Sequence, residues 1–137
     1  MLELVQVDKT FSPGTPGETK VFEGFSLTVP EGQFLSIVGG NGSGKTTLLN
    51  ILCGSVPIDR GEVRIEGRNV EKMQDYRRYA MMGRVYQDPS MGTCPSLTVL
   101  ENLSLADNKG RRYGLRRGVE RKRIDAYRQM LAELGLG

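Results

Sequence analysis

One stretch of this sequence decides the fold: Gly39-Gly40-Asn41-Gly42-Ser43-Gly44-Lys45-Thr46. It matches the pattern G-x-x-x-x-G-K-[ST], in which glycines let the backbone approach a phosphate and turn successive N–H groups toward it. The apolar run Phe34 to Val38 precedes the loop and predicts a strand buried on both faces. Lys45 to Cys53 predicts a helix that ends at Gly54. Strand, loop and helix thus follow in the order that phosphate binding requires.

The loop and the helix start together predict a site for ATP and Mg²⁺. Lys45 is expected to reach the β and γ phosphates as a mobile charge, and the Thr46 hydroxyl is expected to bind the metal. The positive end of the helix dipole adds to the attraction. The predicted nucleotide-binding residues are therefore Gly39, Gly40, Asn41, Gly42, Ser43, Gly44, Lys45 and Thr46. The alternative explanation is a flexible glycine loop followed by a chance Lys-Thr pair.

The composition is that of an ordinary soluble globular chain. Of 137 residues, 38% are apolar and 26% are charged, and the formal net charge is +3. The chain has no histidine, which excludes histidine metal sites and histidine general bases. Two cysteines, Cys53 and Cys94, are too few for a disulfide framework. No run approaches the roughly 18–20 consecutive apolar residues of a membrane span, and no leader precedes the first strand, so we expect a cytoplasmic protein.

Periodicity predicts the remaining elements. Strands are predicted over Leu2 to Val7, Val21 to Val29, Gly61 to Val70 and Val85 to Gln87. Helices are predicted over Val99 to Ala106, with Thr98 as N-cap, and over Val119 to Leu134. Leu48, Leu49, Ile51 and Leu52 are expected to face inward from the first helix, and Ile124, Tyr127, Leu131 and Leu134 from the last. A change of character near Pro89 separates a strand-rich part from a helical part.

Three features make the chain similar to the ATP-binding subunits of ABC transporters. Gln87, in Val85-Tyr86-Gln87-Asp88-Pro89, resembles that family's Q-loop and stands at the family's usual separation from Lys45. The segment Leu97 to Leu103 is similar to the one that follows the Q-loop in transporter subunits. Phe11 stands where the family places an aromatic residue that stacks on adenine. The resemblance extends over essentially the whole chain.

The resemblance implies a fold class and roles for single residues. It implies an α/β fold, with a P-loop NTPase core of the ABC ATPase type over residues 1–89 and the start of a helical subdomain over residues 90–137. Lys45 and Gln87 would be catalytic, and Thr46 and Gln87 would bind Mg²⁺. Phe11 would stack on adenine, and Ser43 and Thr47 would add contacts to the phosphates. A plain surface role for Gln87 and a plain core role for Phe11 are the alternatives.

The resemblance also implies partners and a place of action. The complete protein would be an ABC-type ATPase that dimerises head to tail with a second ATP-binding subunit and drives membrane-spanning transporter subunits. It would lie at the inner face of the cell membrane as a cytoplasmic, peripheral subunit. Several stretches, among them Gly83 to Pro89 and Tyr113 to Arg117, further resemble a group of bacterial importers of amino-acid-like solutes. No nucleic acid partner is expected.

Parts of that family's catalytic machinery have no counterpart in this sequence. There is no L-S-G-G-Q-like signature, no apolar run leading into the Asp-Glu pair of a Walker B motif, and no histidine for the switch position. We therefore expect a domain truncated before the signature and Walker B, which binds ATP without efficient turnover. In relatives the Walker B strand lies beside the P-loop strand. Phe34 to Val38 would then keep an unpaired edge, which favours self-association.

A basic stretch begins shortly after the predicted helix Val99 to Ala106. Its members are Lys109, Arg111, Arg112, Arg116, Arg117, Arg121, Lys122 and Arg123. The simplest interpretation is a solvated surface, because charge runs usually are one. A contact with anionic headgroups or with a transporter subunit is the second interpretation, and nucleic acid is the third.

Three other function classes stay open. A soluble ABC-type ATPase in DNA repair or translation is one, although the segment Leu97 to Leu103 argues against it. A non-catalytic nucleotide-binding module is the second. The third is a different P-loop enzyme such as a small kinase, which would need acceptor-binding residues and lid arginines that only the basic stretch could supply.

Overall fold

The computed structural model describes residues 1–109 and 118–136. The chain divides into two compact units, residues 1–82 and residues 83–137. The first unit contains β1 (Leu2–Phe11), β2 (Thr19–Val29), α1 (Lys45–Cys53), β3 (Arg60–Ile65), β4 (Arg68–Asn69) and α2 (Asp75–Tyr79). The second contains a 3₁₀ turn (Pro89–Met91), α3 (Val99–Asp107), another 3₁₀ turn (Arg121–Arg123) and α4 (Ile124–Glu133). The predicted division into residues 1–89 and residues 90–137 stays a prediction.

The strands of the first unit form one sheet in the order β2-β1-β3-β4. All three pairings are antiparallel. β1 is central, and its Leu4 pairs with Leu27 of β2 on one side and with Val63 of β3 on the other. Three predicted strands are thus confirmed, with β1 extending beyond the predicted Val7 and the last one folding into the short hairpin β3–β4.

Helix α1 covers one face of this sheet. Its bounds, Lys45–Cys53, are those predicted, and Gly54 ends it as expected. The core cluster consists of Leu4, Val7, Leu48, Ile51, Val63, Ile65 and Val70. Leu49, predicted to face inward, is instead 47% exposed, because about 100° per residue places it outside the stripe formed by Leu48, Ile51 and Leu52.

Two predicted strands do not form in the part of the chain that the structure describes. Residues 34–38 and 85–87 carry no strand pairing, so the strands predicted at Phe34 to Val38 and at Val85 to Gln87 are wrong for this chain. Phe34 and Val38 are 97% and 90% exposed, and Val85 is 98% exposed. A strand is stable only when a neighbour bonds its backbone, and neither segment has such a neighbour among the described residues.

The second unit is organised by α3 and α4. Thr98 caps α3 as predicted: its hydroxyl oxygen accepts the Glu101 N–H at 3.3 Å, and the Glu101 carboxylate accepts the Thr98 N–H at 2.8 Å. The Tyr127 hydroxyl on α4 donates to Asp107 at the end of α3 at 2.7 Å. Arg123 forms an ion pair with the same Asp107 carboxylate. Side-chain bonds therefore connect the two helices.

The last helix is shorter than its periodicity predicts. The prediction is Val119 to Leu134, whereas the α-helix runs from Ile124 to Glu133. On the predicted inner face, Tyr127 is buried at 5% exposure, but Leu134 is 69% exposed. Leu134 is the C-cap residue and lies beyond Glu133, the last residue of the helix.

Half of the basic stretch lies outside the described residues, namely Arg111, Arg112, Arg116 and Arg117. Tyr113 lies outside them as well. Its interpretations therefore stay open. Across residues 1–109 and 118–136, no helix has the length and apolar character that crossing a bilayer would demand. Cys53 is buried and Cys94 is exposed, and both are free thiols.

Candidate nucleotide-binding site

Gly44 stands at the junction between the glycine loop and α1. Its φ of 86° lies in the left-handed region, which costs a residue with a side chain about 1–2 kcal/mol. A Cβ at Gly44 would also stand 2.9 Å from Cγ1 of Val21 and 3.4 Å from the Phe22 ring on β2. The sheet therefore packs directly against the junction, and glycine allows the chain to enter α1 there.

Lys45 turns back over the loop that precedes it. Its ammonium donates to the carbonyl oxygens of Gly39 at 2.7 Å and Gly40 at 2.6 Å, and to the Ser43 hydroxyl at 3.2 Å. The positive charge thus lies among the residues predicted to bind phosphate. A phosphate oxygen is a stronger acceptor than a neutral carbonyl, because hydrogen bonds between ionised partners are roughly twice as strong. Lys45 can therefore exchange loop carbonyls for a phosphate.

The first turn of α1 offers further groups to an anion. The Leu48 N–H donates to the Gly44 carbonyl at 2.8 Å, so the N–H groups of Lys45, Thr46 and Thr47 precede the first intrahelical bond. No side chain caps this helix end. Thr46 is exposed and Thr47 is half-buried. The helix start therefore presents backbone donors and an exposed hydroxyl beside the loop, which agrees with the role predicted for it.

Arg78 holds the other end of α1, and the sequence reasoning missed it. Its guanidinium donates to the Ile51 carbonyl at 3.0 Å and also to the Val70 carbonyl. Arg78 is only 5% exposed, and a Cβ at Gly54 would stand 2.9 Å from one of its nitrogens. A cation at a helix C-terminus is favourable for the helix dipole. No spacing in the sequence links Arg78 to α1, because the contact arises from the packing of α2.

Phe11 ends β1 and pairs with Thr19 of β2. Val21 and Phe22 follow Thr19 by two and three residues along β2. Their side chains are the ones that pack against Gly44. One short segment of β2 therefore contacts both the end of β1 and the start of α1. Phe11 is 38% exposed, so part of its surface is available to a ligand. Its role in adenine stacking stays a prediction.

Gln87 lies in the second unit and is exposed. Its neighbours are ordered by local contacts: the Arg84 guanidinium lies 4.4 Å from the Tyr86 ring centroid, and Asp88 accepts the Ser90 N–H at 2.9 Å. Hydrogen bonds from the Ser90 hydroxyl, and then from the Ser90 N–H, hold the pKa of Asp88 below its usual range. The catalytic and metal-binding roles of Gln87 stay predictions.

Comparison with known proteins identifies the family. Residues 22–137 match the family described as ABC transporter. The chain belongs to the ABC transporter family. It is 42% identical over 123 residues to a tyrosine transport ATP-binding protein of Clostridioides difficile, covering 89% of this chain and 49% of the relative. It is 31% identical over 137 residues to a ribose import ATP-binding protein of Lactococcus lactis, covering 98% of this chain and 27% of the relative.

Solved structures agree with this assignment. A dimeric ABC cassette in a post-hydrolysis state with ADP and Pi has a TM-score of 0.72 and 29% identity, covering 97% of this chain and 55% of its own. The predicted resemblance and the predicted P-loop NTPase fold class are thereby confirmed. The chain spans about half the length of the cassettes and of the tyrosine transport relative that it matches.

The described residues of this ABC transporter chain fit a nucleotide with its metal. The Ser43 side chain lies close to the start of the loop, since a Cβ at Gly39 would stand 2.6 Å from the Ser43 hydroxyl oxygen. Among residues 1–109 and 118–136, no group of three or more His, Cys, Asp or Glu could hold a metal ion. A metal here would depend on the Thr46 hydroxyl and on phosphate oxygens, which is the usual environment of Mg²⁺. When bound, Mg²⁺ neutralises charge on the phosphates.

Proposed function

We propose that this chain forms the ATP-binding front half of the ATPase subunit of an ABC transporter. In the complete protein, binding and hydrolysis of Mg-ATP drive a solute across a membrane. The partners are a second ATP-binding subunit, arranged head to tail, and membrane-spanning subunits at the inner face of the cell membrane. The dimeric relative and the relatives named for transport support this. The solute class stays open, an amino-acid-like solute being the expectation.

The position of Lys45 is the observation that carries the proposal. Its ammonium lies 2.7 Å and 2.6 Å from the carbonyl oxygens of Gly39 and Gly40. Lys45 is the only charged residue of the segment 39–47, and these contacts hold its ammonium against the loop. The residues of this chain bind and orient the phosphates: loop N–H groups and the first turn of α1 surround them, and Lys45 contacts them directly.

The proposed turnover needs groups beyond those of this chain. Phosphoryl transfer requires a residue that orients the attacking water and a second source of positive charge. Gln87 is our candidate for a contact to water and metal. For the isolated 137-residue chain we expect nucleotide binding with negligible hydrolysis, and a phosphate-release assay with Mg²⁺ and ATP showing robust turnover would contradict this.

The binding proposal is tested by the substitution Lys45→Ala. A hydrogen bond to a charged group contributes about 1.5–3 kcal/mol, so loss of Lys45 should weaken Mg-ATP binding by about tenfold or more. Isothermal titration calorimetry on the protein at its natural length measures this directly. Lys72→Ala is the matched control, because Lys72 is an exposed lysine of the same unit, and it should leave the affinity unchanged. Equal affinities for the Lys45 variant and the parent protein would overturn the proposal.

We further propose that residues 34–38 form a strand once the remainder of a full-length cassette is present. The support is that this apolar segment is largely exposed, with Phe34 at 97%, and that the chain spans about half the length of its cassette relatives. The partner strand would come from the part of the cassette that this chain does not contain. In a full-length protein, Val38→Ala should then cost about 2 kcal/mol of the free energy of unfolding, as for a buried valine.

A further inference from the structure

Lys9 is a charged residue in an unusual place. Its side chain is only 9% exposed, and burying an ammonium is costly unless it is paired. The partner is Asp59, whose Oδ1 accepts a hydrogen bond from the Lys9 ammonium at 3.1 Å. Among the described residues, no hydrogen bond joins this pair to the loop Gly39 to Thr46. The bonds of the pair are instead to residues at the end of β1.

Asp59 fixes three consecutive positions of β1. Its Oδ2 accepts the Thr10 N–H at 2.6 Å, and its own N–H donates to the Asp8 carbonyl at 2.9 Å. Together with the bond to Lys9, these contacts leave both carboxylate oxygens occupied. The residue that follows this clamped segment is Phe11. Asp59 thus holds the three residues of β1 that precede Phe11.

The Lys9 ammonium also contacts the Phe11 ring. It lies 5.2 Å from the ring centroid, within the roughly 6 Å over which a cation is attracted to an aromatic face. Lys9 and Phe11 are two residues apart on one strand, so their side chains point to the same face. Since Asp59 holds the ammonium, the ring is attracted to a cation that cannot move freely.

We propose that Lys9, held by Asp59, is a positioning residue for the Phe11 ring and thereby determines how strongly the base of a bound nucleotide contributes to affinity. The inference rests on the proposed function, because it takes Phe11 as the residue that contacts the base. Phe11 touches the base, and Lys9 acts through Phe11. The phosphates are bound elsewhere, by the loop and Lys45, so the two contributions are separable.

The affinities for two ligands separate an effect on binding of the base from an effect on binding of the phosphates. Mg-ATP carries the base, whereas tripolyphosphate with Mg²⁺ carries only the phosphate chain. In the protein at its natural length, Lys9→Met keeps most of the apolar stem and removes the charge. It should weaken ATP binding by about two- to fivefold, which corresponds to the usual strength of a cation–aromatic contact. Binding of tripolyphosphate should stay the same.

Three further variants complete the experiment. Lys9→Arg keeps the cation and should retain ATP affinity. Lys20→Met is the control, since Lys20 is an exposed lysine of the neighbouring strand, paired with Glu23 at 2.9 Å, and it should not change the difference between the two ligands. Phe11→Ala should weaken ATP binding by about fivefold or more, because stacking of a base on an aromatic ring contributes about 1–3 kcal/mol.

The outcomes distinguish this inference from the proposal on which it rests. If Lys9→Met weakens both ligands equally, or weakens neither, while Phe11→Ala selectively weakens ATP, the positioning role of Lys9 is wrong and the base contact stands. If Phe11→Ala also leaves ATP binding unchanged, both the base contact and the positioning role are overturned. Thermal unfolding of each variant, monitored by circular dichroism, verifies that the variants are folded.

Discussion

The strand β3 and the segment 34–38 have similar apolar residues, but only β3 is paired in a sheet. In β3, which lies between β1 and β4 in the sheet, Val63 is 1% exposed and pairs with Leu4 of β1. In the segment 34–38, Val38 is 90% exposed and no strand forms. Both stretches read as strands in the sequence. They differ in whether a partner strand lies within the described part of the chain.

The difference shows that strand formation depends on pairing more than on composition. β1 and β2 are joined by the short connection 12–18, and β3 returns to β1 after α1. An antiparallel sheet can therefore be completed from nearby segments. The apolar run 34–38 cannot bond to itself, and Phe34 and Val38 are largely exposed.

The largest expected effect comes from a matched pair of substitutions that tests this comparison. In the 137-residue chain, Val63→Ala should lower the free energy of unfolding by about 2 kcal/mol, because it removes buried methyl groups and leaves a cavity. Val38→Ala should change it by less than about 0.5 kcal/mol, since its side chain already contacts water. Urea unfolding followed by circular dichroism measures both. Similar costs at the two valines would mean that residues 34–38 are packed after all.

A second substitution tests whether the chain is packed again at Gly44, after the exposed segment 34–38. Gly44→Ala introduces a side chain at a φ of 86°, with an expected cost of about 1–2 kcal/mol in the free energy of unfolding. It also crowds Val21, so Mg-ATP affinity should fall with stability. Gly32→Ala is the control, because it has a φ of 74° and nothing within 4 Å. Gly32→Ala should lower the free energy of unfolding by a similar amount but leave the Mg-ATP affinity unchanged. Equal affinities for both variants would contradict the packing argument at Gly44.

The smallest expected effect is a pH dependence at the start of β3. Hydrogen bonding to the Thr10 backbone, and then to Lys9, lowers the pKa of Asp59 below its ordinary value. A carboxyl with a lowered folded-state pKa stabilises the fold above its unfolded pKa of about 3.9, and this stabilisation is lost as the pH falls through the folded pKa. Stability should therefore fall on acidification below about pH 4.

The substitution Asp59→Asn checks the origin of that pH dependence. It removes the titrating group, so the decline in the free energy of unfolding between about pH 4 and pH 2 should become shallower. Glu66→Gln is a suitable control, since Glu66 is an exposed carboxylate of the same unit that pairs with the N-terminal ammonium. An unchanged slope in the Asp59 variant would show that other carboxylates account for the acid sensitivity.

The sequence by itself determined the local parts of this protein. The bounds of α1, its end at Gly54 and the cap at Thr98 follow from residues that are adjacent in the chain. Such features depend on helix periodicity and on hydrogen bonds over three or four residues, which a sequence displays directly. The prediction of a phosphate-binding loop rests on the same kind of information, because the motif from Gly39 to Thr46 is contiguous.

Only the tertiary structure decided which segments find partners. It left residues 34–38 and 85–87 unpaired, joined Arg78 to the end of α1, and placed Lys9 between Asp59 and Phe11. The physical reason is that strand pairing and the bonds of Lys9 to Asp59 and of Arg78 to Ile51 link residues far apart in sequence, which no periodicity encodes. Burial of a lysine or an arginine in particular depends on an acceptor that the fold brings to it.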